Sequence, residues 1–171
     1  HAWPAEMDAG TRRQFKRFLA DAGLRLTTLN MPNVDINVAG ATPQMRTYSL
    51  AVLRGIVRLA GDLEVPGVVL GPGKPNPLFP MPVEQMTGHF FAALDVLAPL
   101  AAEVGTALWV ENMPFAFLPK VDDMMAAIER YGDARLGVVY DIANAYFVKE
   151  DFGAGLTRIG DRLKLVHLSD T

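Results

Sequence analysis

The chain has 171 residues, half of them apolar and 20% charged, with 16 basic against 19 acidic side chains and a formal net charge of −3. This is the composition of a globular domain with a sizeable core, and it excludes a chain-wide basic footprint for nucleic acid. The lack of cysteine excludes disulfides and thiolate catalysis. No apolar run reaches the roughly 18 residues of a membrane span. The opening His-Ala-Trp-Pro carries no charged-then-apolar leader and no initiating Met, which fits a processed, tagged or truncated start. The expected location is the cytoplasm, with no membrane partner.

The first expected element is a helix over 10–22, with Thr11 as N-cap, Phe15, Phe18 and Leu19 on one face, and Gly23 closing it. Its Arg12, Arg13, Lys16 and Arg17 form a basic cluster, read as a solvated helix face rather than a nucleic-acid contact. Residues 24–29 alternate and are β-rich, a strand ending at Asn30. Thr42-Pro43 opens a second helix, proline suiting the first helical position. It runs to about Leu63, with Leu50, Leu53, Val57 and Ala60 at helical spacing.

Residues 65–70 read as a short buried strand, ended by the rigid loop Gly71-Pro-Gly-Lys-Pro-Asn-Pro. A helix over 82–103 supplies Phe90, Phe91, Leu94 and Leu97 to the core, with His89 as a structural residue. Gly105 breaks it before a strand over 106–110 that leads into Glu111. A helix over 121–131, with Met124 and Met125 as core residues, precedes a strand over 136–140 that leads into Asp141. A helix over 150–160 and a strand over 163–168, which holds His167, complete the order.

Strict helix–strand alternation without hairpin signals implies a parallel sheet with right-handed crossovers. Glu111, Asp141 and His167 stand 30 and 26 residues apart, each gap about one strand plus one helix. They should therefore meet at the C-terminal edge of adjacent strands. Sites drawn from three successive strand ends suit a barrel rim better than an open doubly wound sheet. The expected fold is α/β, a partial (β/α)8 TIM barrel of about five βα units in a single domain over 1–171. A full barrel takes eight strands and about 250 residues, so the first strands and the last one are expected to be missing.

Two carboxylates and an imidazole at one edge read as a site for one divalent metal ion, the mixed donor set suiting Mn, Mg, Co or Zn. Each residue also has a plainer use. Glu111 could pair with a lysine, Asp141 could cap the next helical turn, and His167 could be a satisfied core residue. A carboxylate ending a buried Leu-Trp-Val run is costly without a partner, and the three together favour the metal. Asn144 either donates to a substrate hydroxyl or satisfies loop backbone. Lys74 either meets a phosphate or carboxylate of a substrate or lies in solvent. Asp170 either orients a ligand or is a turn residue. No phosphate-cradling loop, dinucleotide fingerprint or nucleophile elbow is present.

The stretches Trp109-Val-Glu-Asn, Val139-Tyr-Asp-Ile-Ala-Asn-Ala-Tyr and Leu165-Val-His-Leu-Ser-Asp-Thr resemble the sugar phosphate isomerase/epimerase superfamily. This is the xylose isomerase-like barrel group that includes endonuclease IV. Asp35-Ile-Asn and Val69-Leu-Gly-Pro-Gly are compatible with its middle strands. The resemblance implies metal ligation by Glu111, Asp141 and His167, with a fourth ligand, a Glu on the last strand, beyond Thr171. It implies Glu111 as both ligand and acid/base, and Asp170 as the Asp of a His-x-x-Asp element. Where endonuclease IV carries further histidines this chain has Asn144, Met31 and Gly71. That implies one metal rather than three, and argues against cleavage of DNA.

The implied activity is isomerisation or epimerisation of a sugar or sugar-like polyol ketone, through proton abstraction and a metal-stabilised enediolate. A dehydratase of inosose or dehydroshikimate type is the alternative on the same scaffold, and a non-catalytic sugar-binding protein is a further one. The implied partner is a small-molecule sugar or polyol, with no nucleic acid and a possible homo-oligomer.

Overall fold

Five parallel strands pair in sequence order in the computed structural model, which describes residues 3–31 and 36–169. They are β1 (Leu29–Asn30), β2 (Gly67–Leu70), β3 (Ala107–Glu111), β4 (Gly137–Asp141) and β5 (Leu163–His167). Helices α1 (Ala9–Asp21), α2 (Pro43–Asp62), α3 (Val83–Val104), α4 (Val121–Tyr131), α5 (Ile142–Phe147) and α6 (Phe152–Ile159) alternate with them. Each strand neighbours the next, with no reversal of order. That sequence excludes the doubly wound sheet, whose order turns back at a switch point, and makes the expected partial barrel, a half-barrel, the observed fold.

Strands β2 and β4 are short apolar runs because both of their faces are covered, whereas β5 leaves Lys164 and Val166 exposed. Along the strands the side chains alternate. Val68, Leu70, Leu108, Val110, Val138 and Tyr140 belong to one buried cluster with Leu53 and Val57 of α2, Phe90, Leu94 and Leu97 of α3, and Met124 and Ile128 of α4. Val69 and Val139 are as deeply buried yet lie outside that cluster. By alternation they share the opposite, inward face with Trp109 and Glu111.

On this inward face the Trp109 indole lies flat across two glycines. A Cβ on Gly67 would stand 2.4–2.5 Å from its six-membered ring, and one on Gly137 would stand 2.7 Å from its Cδ1. The ring occupies the space a side chain at Gly67 would need, and at Gly137 that space is taken jointly by the ring and by Lys164 Cγ, at 2.5 Å.

Helix boundaries follow the caps. Thr42 accepts from the Met45 N–H at 3.3 Å with Pro43 in the first turn of α2, and Gly105, at φ 77°, ends α3 in the left-handed conformation that glycine adopts without strain. Three expectations need correction. The N-cap of α1 is Asp8, not Thr11, whose own N–H donates to Asp8 Oδ1 at 2.7 Å, because the helix begins at Ala9. The strand expected over 24–29 shrinks to Leu29–Asn30. Only Leu29 and Asn30 lie level with β2, opposite Val68 and Val69, and Leu24 is 59% exposed. A six-residue helix, α5, directly follows Asp141, and α6 starts at Phe152 under an Asp151 cap rather than at residue 150.

Of the basic cluster on α1, Arg12 pairs with Asp62 and Lys16 with Glu64 at 2.6 Å. Two of its charges are thus met within the chain. Among the described residues no helix is long and apolar enough to cross a membrane.

Candidate metal centre

Glu111, Asp141 and His167 are the last residues of β3, β4 and β5. Asp141 is opposite His167, and Glu111 is opposite Val139, two residues before Asp141. A separation of two residues keeps both carboxylates on one face of the sheet. His167 Nδ1 lies 3.0 Å from Glu111 Oε1 and 3.8 Å from Asp141 Oδ2. One donor atom from each residue lies within 4.8 Å of the other two.

Ions that hold nitrogen and oxygen donors at about 2.1 Å keep those donors about 3 to 4 Å apart. The three side chains need only a small adjustment to match. Their charges match as well. Glu111 is 7% exposed. Burial pushes its carboxyl above the usual carboxylate range and the Asp141 charge adds to this, while the hydrogen bond and charge of His167 oppose the rise. Two partly desolvated carboxylates facing one imidazole are short of positive charge, which a divalent cation would supply. The donor set therefore fits such an ion.

Asp141 has two tasks. Its Oδ1 accepts from the Asn144 N–H at 2.9 Å and caps α5, while Oδ2 is the oxygen nearer His167. The N-cap use is realised, and the other oxygen stays beside His167. Asn144 Nδ2 donates to the carbonyl of Asn112 at 2.9 Å, so its amide donor serves loop backbone. Lys74 lies in the loop after β2, at the same edge of the sheet. Its N–H donates to Asn37 Oδ1 at 3.0 Å and its carbonyl accepts from Asn37 Nδ2 at 2.9 Å. Asp170 lies outside the described residues, as does Asp35. Glu111 pairs with His167 rather than with a lysine.

Sequence reasoning gave no role to Asn112. It has no exposed surface. Its Oδ1 accepts from the Asp141 N–H at 2.7 Å and its Nδ2 donates to the Asp141 carbonyl at 3.0 Å. The only sequence signal is an amide directly after a buried strand end. Met113 was also overlooked. A Cβ on Gly71 would meet its sulfur at 2.5 Å, so the thioether fills the place where a longer side chain at position 71 would enter.

The model of the xylose isomerase-like TIM barrel family matches residues 3–171. Among curated proteins, the uncharacterised MJ1614 of Methanocaldococcus jannaschii is 26% identical over 147 residues, covering 84% of this chain and 55% of that protein. MJ1311 of the same organism is 24% identical over 149 residues, covering 83% of this chain and 50% of its own length. Among solved structures, a D-tagatose 3-epimerase-like protein superposes with TM-score 0.85 at 18% identity, over 97% of this chain and 64% of that one. An L-ribulose 3-epimerase gives 0.84 at 20% identity, over 99% and 58%. The apo form of the 3-keto-D-glucoside 4-epimerase YcjR from E. coli gives 0.83 at 17% identity, over 95% and 65%. The chain thus spans about half the length of the curated relatives and under two thirds of these structures. With nearly every residue inside the family match and the strand order of a half-barrel, the chain belongs to the xylose isomerase-like TIM barrel family.

Proposed function

We propose that the whole protein is a divalent-metal-dependent isomerase or epimerase of a sugar or sugar-like polyol ketone. The observation that carries this reading is the convergence of Glu111, Asp141 and His167 at the ends of three adjacent barrel strands. The names of the three structural neighbours described above, each a sugar epimerase or epimerase-like, support it. A single ion of Mn, Mg, Co or Zn would be held by these three residues, and when bound it would polarise a substrate carbonyl and acidify the adjacent C–H.

Glu111 would take that proton. Its burial raises its proton affinity in the absence of the ion, and a bound ion would lower it again. Protonation of the opposite face by a second acid, such as the last-strand Glu that the family resemblance implies, would give the epimer, and return of the proton from Glu111 to the neighbouring carbon would give the isomer. His167 Nδ1, which pairs with Glu111 Oε1 in the absence of the ion, would give up that hydrogen bond to ligate the ion. Asn144 gives one of its two amide hydrogens to the Asn112 carbonyl and would offer the other to a substrate hydroxyl. Lys74, at the same edge, would meet an anionic group on the substrate, and Asp170 would orient a ligand. The Met113 thioether over Gly71 leaves no room there for a further ligand, which favours one ion over a cluster.

The test is hydrogen exchange in D2O with the full-length protein and a panel of ketoses and polyol ketones, followed by NMR. Incorporation of deuterium beside the carbonyl, abolished in Glu111→Gln, is the expected result. Unchanged exchange in that variant would sink the role of Glu111. A product absorbing in the ultraviolet would instead identify a dehydratase, in which proton removal is followed by loss of a β-hydroxyl. Sugar binding without exchange would identify a non-catalytic binder.

A further inference from the structure

The ladder between β3 and β4 ends at Glu111 opposite Val139. The two strands would be free to splay beyond it, where both carboxylates are needed. Asn112 takes over at that point. Its side-chain amide presents to Asp141 the acceptor and donor that another strand residue would have presented from its backbone, at 2.7 and 3.0 Å. The pairing fixes the orientation of the amide, since the Asp141 N–H requires an oxygen and its carbonyl requires an N–H. The Asn112 carbonyl then accepts from Asn144 Nδ2 at 2.9 Å, and the Asn144 N–H returns to Asp141 Oδ1 at 2.9 Å. Asn112, Asp141 and Asn144 thus form a closed ring of four hydrogen bonds.

The ring divides the Asp141 carboxylate. Oδ1 is held by the first turn of α5, and Oδ2 faces His167. Asn112 lacks exposed surface, so no water competes for its amide, and breaking either bond strands a buried polar group. We propose that Asn112 is a positioning residue for the metal. It holds the Asp141 backbone against β3, so that Asp141 serves as a one-oxygen ligand through Oδ2 at a fixed distance from Glu111. Asn144 completes the ring and acts in the same way, with a smaller share. The inference rests on the metal reading of Glu111, Asp141 and His167, and adds what sets the spacing of two of them.

The test compares full-length wild type, Asn112→Leu, Asn112→Asp and Asn144→Ala. Three readouts are taken: Co2+ affinity by competition with a chromophoric chelator, the visible spectrum of the bound Co2+, and thermal unfolding of the metal-free protein. Partners that orient metal ligands usually change affinity about 10- to 100-fold when removed. That range is expected for both Asn112 variants, with a shifted Co2+ spectrum. Asn144→Ala keeps the backbone cap on Asp141 and loses one hydrogen bond, so a loss of about 3- to 10-fold is expected. A purely structural amide would lower the unfolding temperature and leave the affinity and spectrum of the folded protein unchanged. That outcome overturns the proposal. If the Asn112 variants do not fold, Asn144→Ala decides, because its side chain is only partly buried. Wild-type protein that binds no Co2+ would overturn the metal reading, and this inference with it. Wild type that binds while all variants bind equally would overturn the inference alone.

Discussion

The same substitution, glycine to alanine, should have opposite effects at Gly67 and Gly88. At Gly67 the new Cβ would stand 2.4 Å from Trp109 Cδ2 and Cε2 and 2.5 Å from Cζ2. Carbon atoms pack comfortably at about 3.5–4.0 Å, so a rigid ring must move by about 1 Å to admit the methyl group. Its five-membered ring already rests on Gly137 and leaves little room on that side. Overpacking of this kind costs about 1–3 kcal/mol, and the stiffer unfolded chain returns about 0.4–1 kcal/mol. The net loss is about 1–2 kcal/mol, or roughly 2–8 °C in Tm for a chain of this size.

Gly88 lies on an exposed face of α3, and a Cβ there meets nothing within 4 Å. Alanine in a helix interior is better than glycine by about 0.5–1 kcal/mol, so Tm should rise by roughly 1–4 °C. Thermal and urea unfolding of the metal-free protein, followed by circular dichroism, measure both. A second arm repeats Gly67→Ala in a Trp109→Leu background, where the cost should largely disappear. A stable Gly67→Ala protein, or a cost independent of Trp109, would refute the placement of the indole against the sheet.

Two further outcomes concern the α4–α6 side. The Tyr140 hydroxyl is buried without a hydrogen-bond partner among the described residues, and burial pushes its pKa up to about 12. Tyr140→Phe keeps the ring packing and removes the orphan, so it should stabilise the protein by about 1 kcal/mol; a loss of that size would show that the hydroxyl is bonded. Glu150 accepts from the Val121 N–H at 2.9 Å through Oε1, while Oε2 is buried without a partner among the described residues. Burial raises its pKa above 4.5, with the charge of Asp122 adding to the rise. The folded protein therefore holds this proton more tightly than the unfolded chain. The contribution to stability is greatest below that ordinary value and is lost as pH rises through the raised one. Relative to wild type, Glu150→Gln should gain stability as pH rises from about 4 to 7, by urea unfolding. A difference that does not grow with pH would contradict it.

Much of the layout was legible because the chain punctuates itself. Gly105 stops α3, Thr42-Pro43 starts α2, and the runs before Glu111 and Asp141 are too short and too apolar for anything but buried strands. The spacing of Glu111, Asp141 and His167 then placed them at one edge, since parallel strands return the chain to the same side. The misread segments depend on tertiary contact. Residues 24–28 alternate like a strand, yet β2 begins too late to pair with them. The six residues of α5 are fewer than periodicity can mark, although Asp141 was legible as a cap for the turn that follows it. The work of Asn112 is a side-chain imitation of backbone pairing between two strands, which no spacing in one chain announces. Thr11 looked like a cap because its true partner, Asp8, lies before the first residue with helical patterning.

The most direct test of the central claim is the metal content of the purified full-length protein. Elemental mass spectrometry would be run on wild type, Glu111→Gln and His167→Ala, as isolated and after reconstitution. The expected result is about one Mn, Co, Zn or Mg ion per wild-type chain, with loss of most of it in both variants. No bound ion after reconstitution, or full occupancy in both variants, would contradict a metal centre built on Glu111, Asp141 and His167.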